Sequence, residues 1–330
     1  PPFNSPKFDQ IFQEKIKLCN IIFNFNKPKI QLSGKAEKST ALIEINKFLS
    51  NTSDISSITE KQKDQIYDMI KKNIFDQDPF ISCEKVSDFT INPTIIEPSW
   101  EHLCHIYQVL IQYLIMFPER CKIDLVKPVI RLFNIPDNNE RENLLTILQN
   151  YSESHSNEFE EIYRALKSAL INVFSRIYTP YCVEPILTFF KNSFKIEYLY
   201  KILYTHLMPL YRHNKLYLFS NKLTTLVLEI IEKRRTDLLN CISYLMIHFP
   251  YQNSQKQAIF ISTMSSMMST LSASELKKIA TKLIIFLSST IKSPNTKLAE
   301  STLKLLTKPT TTQLIFKNFV LFIKKLLFLK

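Results

Sequence analysis

Residues 238–287, LLNCISYLMIHFPYQNSQKQAIFISTMSSMMSTLSASELKKIATKLIIFL, contain three apolar stripes in succession, each with the spacing of an α-helix. The stripes are Leu238, Ile242, Leu245, Met246 and Phe249; then Phe260, Met264, Met267, Met268 and Leu271; then Leu276, Ile279, Ala280, Leu283 and Leu287. Pro250 ends the first helix, and the capping-box pattern SASE at 272–275 begins the third. Helices joined by such short loops are expected to pack as antiparallel neighbours.

The same helical period continues outward, in residues 100–117 and 220–233. Pro209, Pro250 and Pro294 stand 41 and 44 residues apart, each near a helix end. A two-helix unit of about 40 residues is typical of HEAT or armadillo repeats. The sequence therefore predicts an all-α fold, a right-handed α-solenoid of HEAT-like (armadillo-type) helical hairpin repeats.

Glycine is nearly absent, which restricts the function classes. The chain has one glycine, Gly34, in 330 residues, where average usage is about 7%. Phosphate-binding loops, dinucleotide fingerprints and nucleophile elbows all require glycine, and so do most tight hairpins. The deficit therefore disfavours nucleotide chemistry and β-architecture together.

The domain organisation follows from the irregular segments. Residues 1–29 are predicted to be partly irregular, with residues 1–9 a frayed terminus, and residues 30–330 a single solenoid. Residues 76–99 contain three prolines and no helical period, which predicts a long loop. The apolar tail 313–330 is either a repeat helix packed on its predecessor or a membrane-surface helix. A solenoid ending there would expose apolar surface, so we expect a further helix or a covering partner beyond it.

Compartment and charge give further expectations. No run of about 18 uncharged apolar residues is present, so no membrane span is expected. The six cysteines form no CxxC pair, which favours reduced thiols in a cytoplasmic or nuclear protein. Of the net charge of +12, residues 256–330 supply most, with twelve lysines, no arginine and two glutamates. These lysines could form a solvated face or contact nucleic acid, an anionic membrane or an acidic protein; without arginine, nucleic-acid binding is not expected.

No catalytic residue, metal site or cofactor is predicted. His102 and His105 have a spacing that could place two metal ligands on one helix face, but that face offers no further ligand. Glu158, Glu160 and Glu161 stand at the start of a helix, where carboxylates complement the dipole. Acid–base catalysis by this cluster is the less favoured interpretation.

Several fragments, in order and in register over about residues 30–310, resemble the B′ (B-fifty-six) regulatory subunits of protein phosphatase 2A. They are KSTALIE (38–44), EPSWEHL (97–103) with HIY (105–107), LF (132–133) with DNNERE (137–142), LMPLY (207–211), FP (249–250), SEL (274–276), and SPN (293–295) with AE (299–300). The resemblance implies a pseudo-HEAT solenoid and a non-catalytic subunit. Such a subunit joins the phosphatase scaffold (A) and catalytic (C) subunits and brings substrate proteins to them.

The resemblance also implies a groove that reads a Leu-x-x-Ile-x-Glu peptide, through a His-Arg-x-Tyr-x-Lys-Phe stretch and two isoleucines of the next repeat. The equivalents in this chain are Gln149, Asn150, Ser152, Ser154 and His155, followed by Thr188 and Asn192. The basic residues are missing, so the pocket is predicted to be degenerate and to bind the usual motif weakly.

Glu140 and Arg141, expected on an inter-helix turn, are candidates for contacts with the other phosphatase subunits. A salt bridge within the repeat is the equal alternative for this pair. For the whole chain, the alternative function is a basic helical-repeat protein that binds cargo or nucleic acid through its lysine-rich third.

Overall fold

The computed structural model describes residues 6–27, 29–51, 58–76, 97–307, 312, 316 and 318–328. Within these residues every regular element is a helix and no β-strand is present, so the predicted all-α class is confirmed. The chain divides into two compact units, Pro1–Phe189 and Phe190–Lys330. The right-handed twist and the single continuous solenoid over 30–330 stay predictions.

The first unit is a row of helices that pack on near neighbours in sequence. They are α1 (Pro6–Cys19), α2 (Leu32–Asn51), α3 (Glu60–Ile70), α4 (Trp100–Met116), α5 (Val126–Leu132), α6 (Asn138–Ser154), α7 (Phe159–Phe174) and α8 (Val183–Ser193), the last of which continues past the unit boundary after Phe189. Helix α1 packs on α2, α2 on α4, α4 on α6, and α5 on both α6 and α7. Packing of helices on near neighbours in sequence is typical of stacked helical repeats.

The prediction of a frayed terminus at residues 1–9 is wrong for residues 6–9, because α1 begins at Pro6 and packs on α2 and α3; residues 1–5 lie outside the described residues. Proline is tolerated in the first turn, where the missing N–H would have no partner. Phe8 and Phe12 lie with their ring centroids 5.4 and 5.9 Å from that of Phe48 on α2. This aromatic cluster gives α1 an apolar face to bury.

The second unit repeats the same packing. Its further helices are α9 (Ile196–Ile202), α10 (Met208–Leu210), α11 (Ser220–Lys233), α12 (Leu238–Ile247), α13 (Ser254–Met268), α14 (Ala273–Ile291), α15 (Thr296–Leu306) and α16 (Phe319–Phe328). Helix α11 packs on α9 and α13, α12 on α13 and α14, and α15 on α13 and α14. The helices predicted from the apolar stripes at 220–233 and 238–287 are therefore confirmed.

Side-chain caps set the helix starts in this unit. The predicted capping box is present: the Ser272 hydroxyl accepts from the N–H of Glu275, whose carboxylate accepts from the N–H of Ser272 at 2.8 Å. The guanidinium of Arg235 donates twice to the same carboxylate, at 3.0 and 2.8 Å. Asn295 caps α15, and its amide also donates to Gln257 at 2.7 Å. These capping residues thus mark the helix starts and also bond to a neighbouring helical pair.

The single glycine stands at a closely packed helix position and not in a left-handed backbone. Gly34 lies in α2 without positive φ, and a Cβ built there would stand 2.9 Å from Cζ of Phe23. Among the described residues, positive φ occurs instead at Gln31 (59°) and Arg176 (58°). The chain therefore has non-glycine residues at these two left-handed positions, where glycine would adopt the backbone angles with less strain.

The predicted loop at 76–99 lies outside the described residues except at its ends, and so do residues 313–315, 317, 329 and 330 of the tail. The described part of the tail is the helix α16, which packs on α14 with Phe322 buried. Among the described helices, none combines the length and apolar character that crossing a bilayer requires.

Candidate functional site

The end of α6 carries most of the residues predicted for the altered peptide groove. The helix begins after Asp137, whose carboxylate accepts from the N–H of Asn139 at 2.8 Å. Its buried stripe consists of Leu144, Ile147, Leu148 and Tyr151. Because this stripe fixes the rotation of α6, the positions between its members face the edge of the unit or the solvent.

The predicted groove residues include no lysine or arginine. Gln149 and Asn150 are half-buried, and the buried Ser152 donates its hydroxyl to the carbonyl of Gln149 at 2.8 Å. Ser154 is exposed, with its hydroxyl donated to the carbonyl of Asn150 at 3.0 Å. His155 is half-buried at the C-cap of α6. Both hydroxyls are thus turned back onto the helix.

A tyrosine that the sequence analysis did not single out organises this end of α6. Tyr151 is 1% exposed and donates its hydroxyl to the carboxylate of Glu158. Its ring stacks on that of His155, with centroids 4.3 Å apart and planes 8° apart. Burial and the adjacent Glu158 carboxylate raise the pKa of Tyr151, so the hydroxyl keeps its proton. The position of Tyr151 in the apolar stripe of α6 predicts that it is buried. Glu158 lies beyond the end of α6, and no sequence pattern predicts its hydrogen bond with Tyr151.

The surroundings of this end of α6 are acidic. Residues 149–161 contain no lysine or arginine. Glu153, Glu160 and Glu161 are exposed and Glu158 is half-buried. An acidic ligand at this surface would meet carboxylates rather than the cations that the resemblance implies for the family.

The two positions expected to replace the family's isoleucines lie on α8. Thr188, in the first unit, is half-buried and donates its hydroxyl to the carbonyl of Glu184 at 3.0 Å. Asn192, one turn later, belongs to the second unit and is exposed. Both side chains are polar, and their role in a peptide groove stays a prediction.

Glu140 and Arg141 are in the first turn of α6, not on an inter-helix turn, and both are buried, with 4% and 8% exposed. Arg141 donates to the carbonyl of Ile135 at 2.7 Å and to Asn138 at 3.1 Å. Its guanidinium also stands 5.2 Å from the ring centroid of Tyr181. Glu140 accepts a hydrogen bond from the hydroxyl of Tyr107 at 2.5 Å. The alternative, a salt bridge within the repeat, is not formed, since neither side chain pairs with a described residue of opposite charge. A contact with other subunits stays a prediction.

The buried carboxylate of Glu140 is the most perturbed acid of this region. Burial raises its pKa to about 7, and the nearby carboxylates of Glu97 and Asp137 add to the rise. The hydrogen bond from Tyr107 acts in the opposite direction. Glu140 is thus an internal polar link between α4 and α6.

The structure also places the histidine and the lysines that the sequence singled out as possible metal or partner contacts. His102 is buried, with Nε2 2.9 Å from the carbonyl of Lys35. Within the described part of the chain, no three His, Cys, Asp or Glu side chains form a group able to hold a metal ion. In the lysine-rich third, Lys277, Lys282 and Lys297 are exposed on α14 and α15, as expected for a solvated face.

Comparison with known proteins gives one consistent result. A family model described as the protein phosphatase 2A regulatory B subunit (B56 family) matches residues 1–327. The delta 2 isoform of the 56 kDa regulatory subunit of serine/threonine-protein phosphatase 2A from Schizosaccharomyces pombe is 25% identical over 337 residues, covering 94% of this chain and 52% of the relative. The B′ beta isoform from Arabidopsis thaliana is 24% identical over 273 residues, covering 76% and 53%.

The 56 kDa regulatory subunit alpha isoform from Homo sapiens is 25% identical over 312 residues, covering 89% of this chain and 63% of the relative. The chain thus spans between about half and two-thirds of the length of these relatives. Because the family model covers nearly every residue and the fold is the expected row of helices, the chain belongs to the B56 family of protein phosphatase 2A regulatory B subunits.

Proposed function

We propose that this chain acts as a non-catalytic regulatory subunit of protein phosphatase 2A. In this role it binds the scaffold and catalytic subunits and directs the choice of substrate proteins. The observation that carries the proposal is the family match over residues 1–327, supported by helices that pack on near neighbours as in helical repeats. We place this role in the cytoplasm or nucleus, which agrees with described cysteines that remain thiols.

The test of this role is recovery of phosphatase from cells. The full chain, tagged, is purified from a cell lysate and the eluate is assayed for serine/threonine phosphatase activity and for the scaffold and catalytic subunits. The expected result is both subunits together with activity. Repeated recovery of the tagged chain without either subunit would contradict the proposal.

We further propose that substrate selection differs from the Leu-x-x-Ile-x-Glu reading that the resemblance implies. The glutamate of such a peptide would lose its charge-assisted hydrogen bonds, each worth about 1.5–3 kcal/mol. It would also approach Glu153 and Glu158, whose negative charge opposes its own. Each lost bond alone weakens binding by about tenfold or more.

Calorimetry with a synthetic Leu-x-x-Ile-x-Glu peptide tests this selection. The natural chain is expected to bind no tighter than about 100 μM. Asn150 and Ser154 are one turn apart on α6, so Asn150→Arg with Ser154→Lys returns two positive charges to one face. We expect the double variant to gain about tenfold or more. Micromolar binding by the natural chain would contradict the proposed change of selection.

A further inference from the structure

A cavity of about 400 Å³ lies in the first unit, away from the predicted groove. It opens between the segment 22–26, helices α2 and α4, and the π-helical turn Lys71–Phe75 that continues α3. Phe23, Phe25 and Leu103 contribute apolar wall, whereas Lys38, Asn73 and His102 contribute polar atoms. Pockets of about 300–1,000 Å³ with apolar walls and a few polar groups are the usual form of small-molecule sites.

The lysine in this cavity is buried without a counter-ion. Lys38 is 2% exposed, and its Nζ donates to the carbonyl of Ile21 at 2.7 Å and to Oδ1 of Asn73 at 2.8 Å. Both acceptors are neutral, and no described carboxylate pairs with Lys38. Burial lowers the pKa of Lys38 to about 8. Since buried charges are normally paired, this ammonium has a third N–H and an uncompensated charge to offer.

A second lysine increases the positive charge of this region. Lys35, one turn before Lys38 on α2, is also buried and donates to the carbonyl of Lys27 at 3.0 Å. Its Nζ lies 4.8 Å from the ring centroid of Phe25. No described carboxylate pairs with Lys35 either, so two buried cations of α2 are held by neutral groups alone.

The histidine in the cavity has an unused nitrogen. His102 is 2% exposed; Nε2 lies 2.9 Å from the carbonyl of Lys35 and must donate to it. Nδ1 is buried and has no partner among the described residues. A buried polar atom without a partner costs about 1–3 kcal/mol. Burial lowers the pKa of His102, and the positive charge of Lys38 acts in the same direction, so the ring is neutral and Nδ1 is an unpaired acceptor.

We propose that this cavity binds a small carboxylate carried on an apolar body, an aryl or alkyl acid. The carboxylate accepts from Lys38, and the body packs against Phe23, Phe25 and Leu103. A cationic ligand is disfavoured because Lys38 and Lys35 already leave positive charge without a partner. Glu97 and Glu140 also line the cavity, but the carboxylate of Glu97 already accepts from the hydroxyl of Ser99 at 2.8 Å and that of Glu140 from the hydroxyl of Tyr107.

The direct test compares two probes on the unmodified full chain by calorimetry. The probes are 4-phenylbutyrate and its neutral counterpart 4-phenylbutanamide, which differ in the charged group alone. We expect the acid to bind about tenfold tighter than the amide or better, a ratio that corresponds to 1.4 kcal/mol. Equal affinities, or no saturable binding of the acid at about 10 mM, would overturn the proposal.

Variants then locate the site. Lys38→Met keeps the side-chain length and removes the charge, so the acid should bind about tenfold weaker while the amide is unaffected. Leu103→Trp fills the cavity and should abolish binding of both probes. The matched control is Lys256→Met, because Lys256 is another buried lysine held by a main-chain carbonyl, that of Arg212 at 2.8 Å, and lies outside the cavity. Unchanged affinity for the acid in folded Lys38→Met would overturn the proposal; if that variant does not fold, the comparison of acid and amide still decides.

Discussion

Replacing Glu140 by glutamine should change how the stability of this chain depends on pH. The carboxylate is 4% exposed, and burial raises its pKa from 4.5 to about 7. Because the folded-state pKa lies above the unfolded value, the stability that this group contributes is fully present below pH 4.5 and is lost as the pH rises through about 7. Glutamine cannot ionise, and its amide oxygen can still accept from Tyr107.

The size of the effect follows from the two pKa values. Between pH 5 and pH 8, ionisation of a group with these values costs the folded state about 2.5 kcal/mol. We therefore expect the free energy of unfolding of Glu140→Gln, relative to the natural chain, to rise by about that amount over this interval.

Urea denaturation at a series of pH values, followed by circular dichroism, measures this difference. Glu153→Gln is the matched control, because Glu153 is an exposed carboxylate on the same helix α6 and should leave the pH profile unchanged. Parallel profiles for the natural chain and Glu140→Gln would show that Glu140 titrates normally in the folded chain, and the reasoning about its burial would be refuted.

Two further substitutions, studied by urea denaturation, test the backbone strain before α2 and the side-chain cap of α13. Gln31 has φ of 59° just before α2, so Gln31→Gly should raise the free energy of unfolding by about 1 kcal/mol. The control Gln13→Gly, inside α1, should lower it by a similar amount. A lower free energy of unfolding in both variants would contradict the strain assigned to Gln31. Asn253 caps α13 by accepting from the N–H of Lys256 at 3.0 Å, so Asn253→Ala should lower the free energy of unfolding by about 1 kcal/mol. The control Asn214→Ala, in an exposed loop, should leave it almost unchanged. Equal effects of the two substitutions would contradict the capping role of Asn253.

The period of apolar residues was enough to predict where most helices lie. Helices α4 and α11 and the capping box at Ser272 depend on neighbours within a few positions, so local pattern contains the information. The start of helix α1 was not predicted, because the aromatic partner of Phe8 is Phe48, which lies far along the chain.

The interior of the candidate sites was not predictable in the same way. Glu140 and Arg141 are polar residues at a helix start, a pattern typical of exposed positions. Their burial depends on Tyr107 and Tyr181, which stand more than thirty residues away on either side. The burial of Lys38 without a counter-ion likewise results from tertiary packing. Its hydrogen-bond acceptors, Ile21 and Asn73, lie on opposite sides of it in the sequence.

The central claim is that this chain is a regulatory subunit of protein phosphatase 2A, and assembly from purified parts tests it most directly. The full chain is mixed with a purified scaffold–catalytic dimer, and the molar mass of the product is measured by light scattering during size-exclusion chromatography. We predict a stable complex whose mass exceeds that of the dimer by one copy of this 38.8 kDa chain. Separate elution of the dimer and the chain at micromolar concentrations of both would contradict the claim.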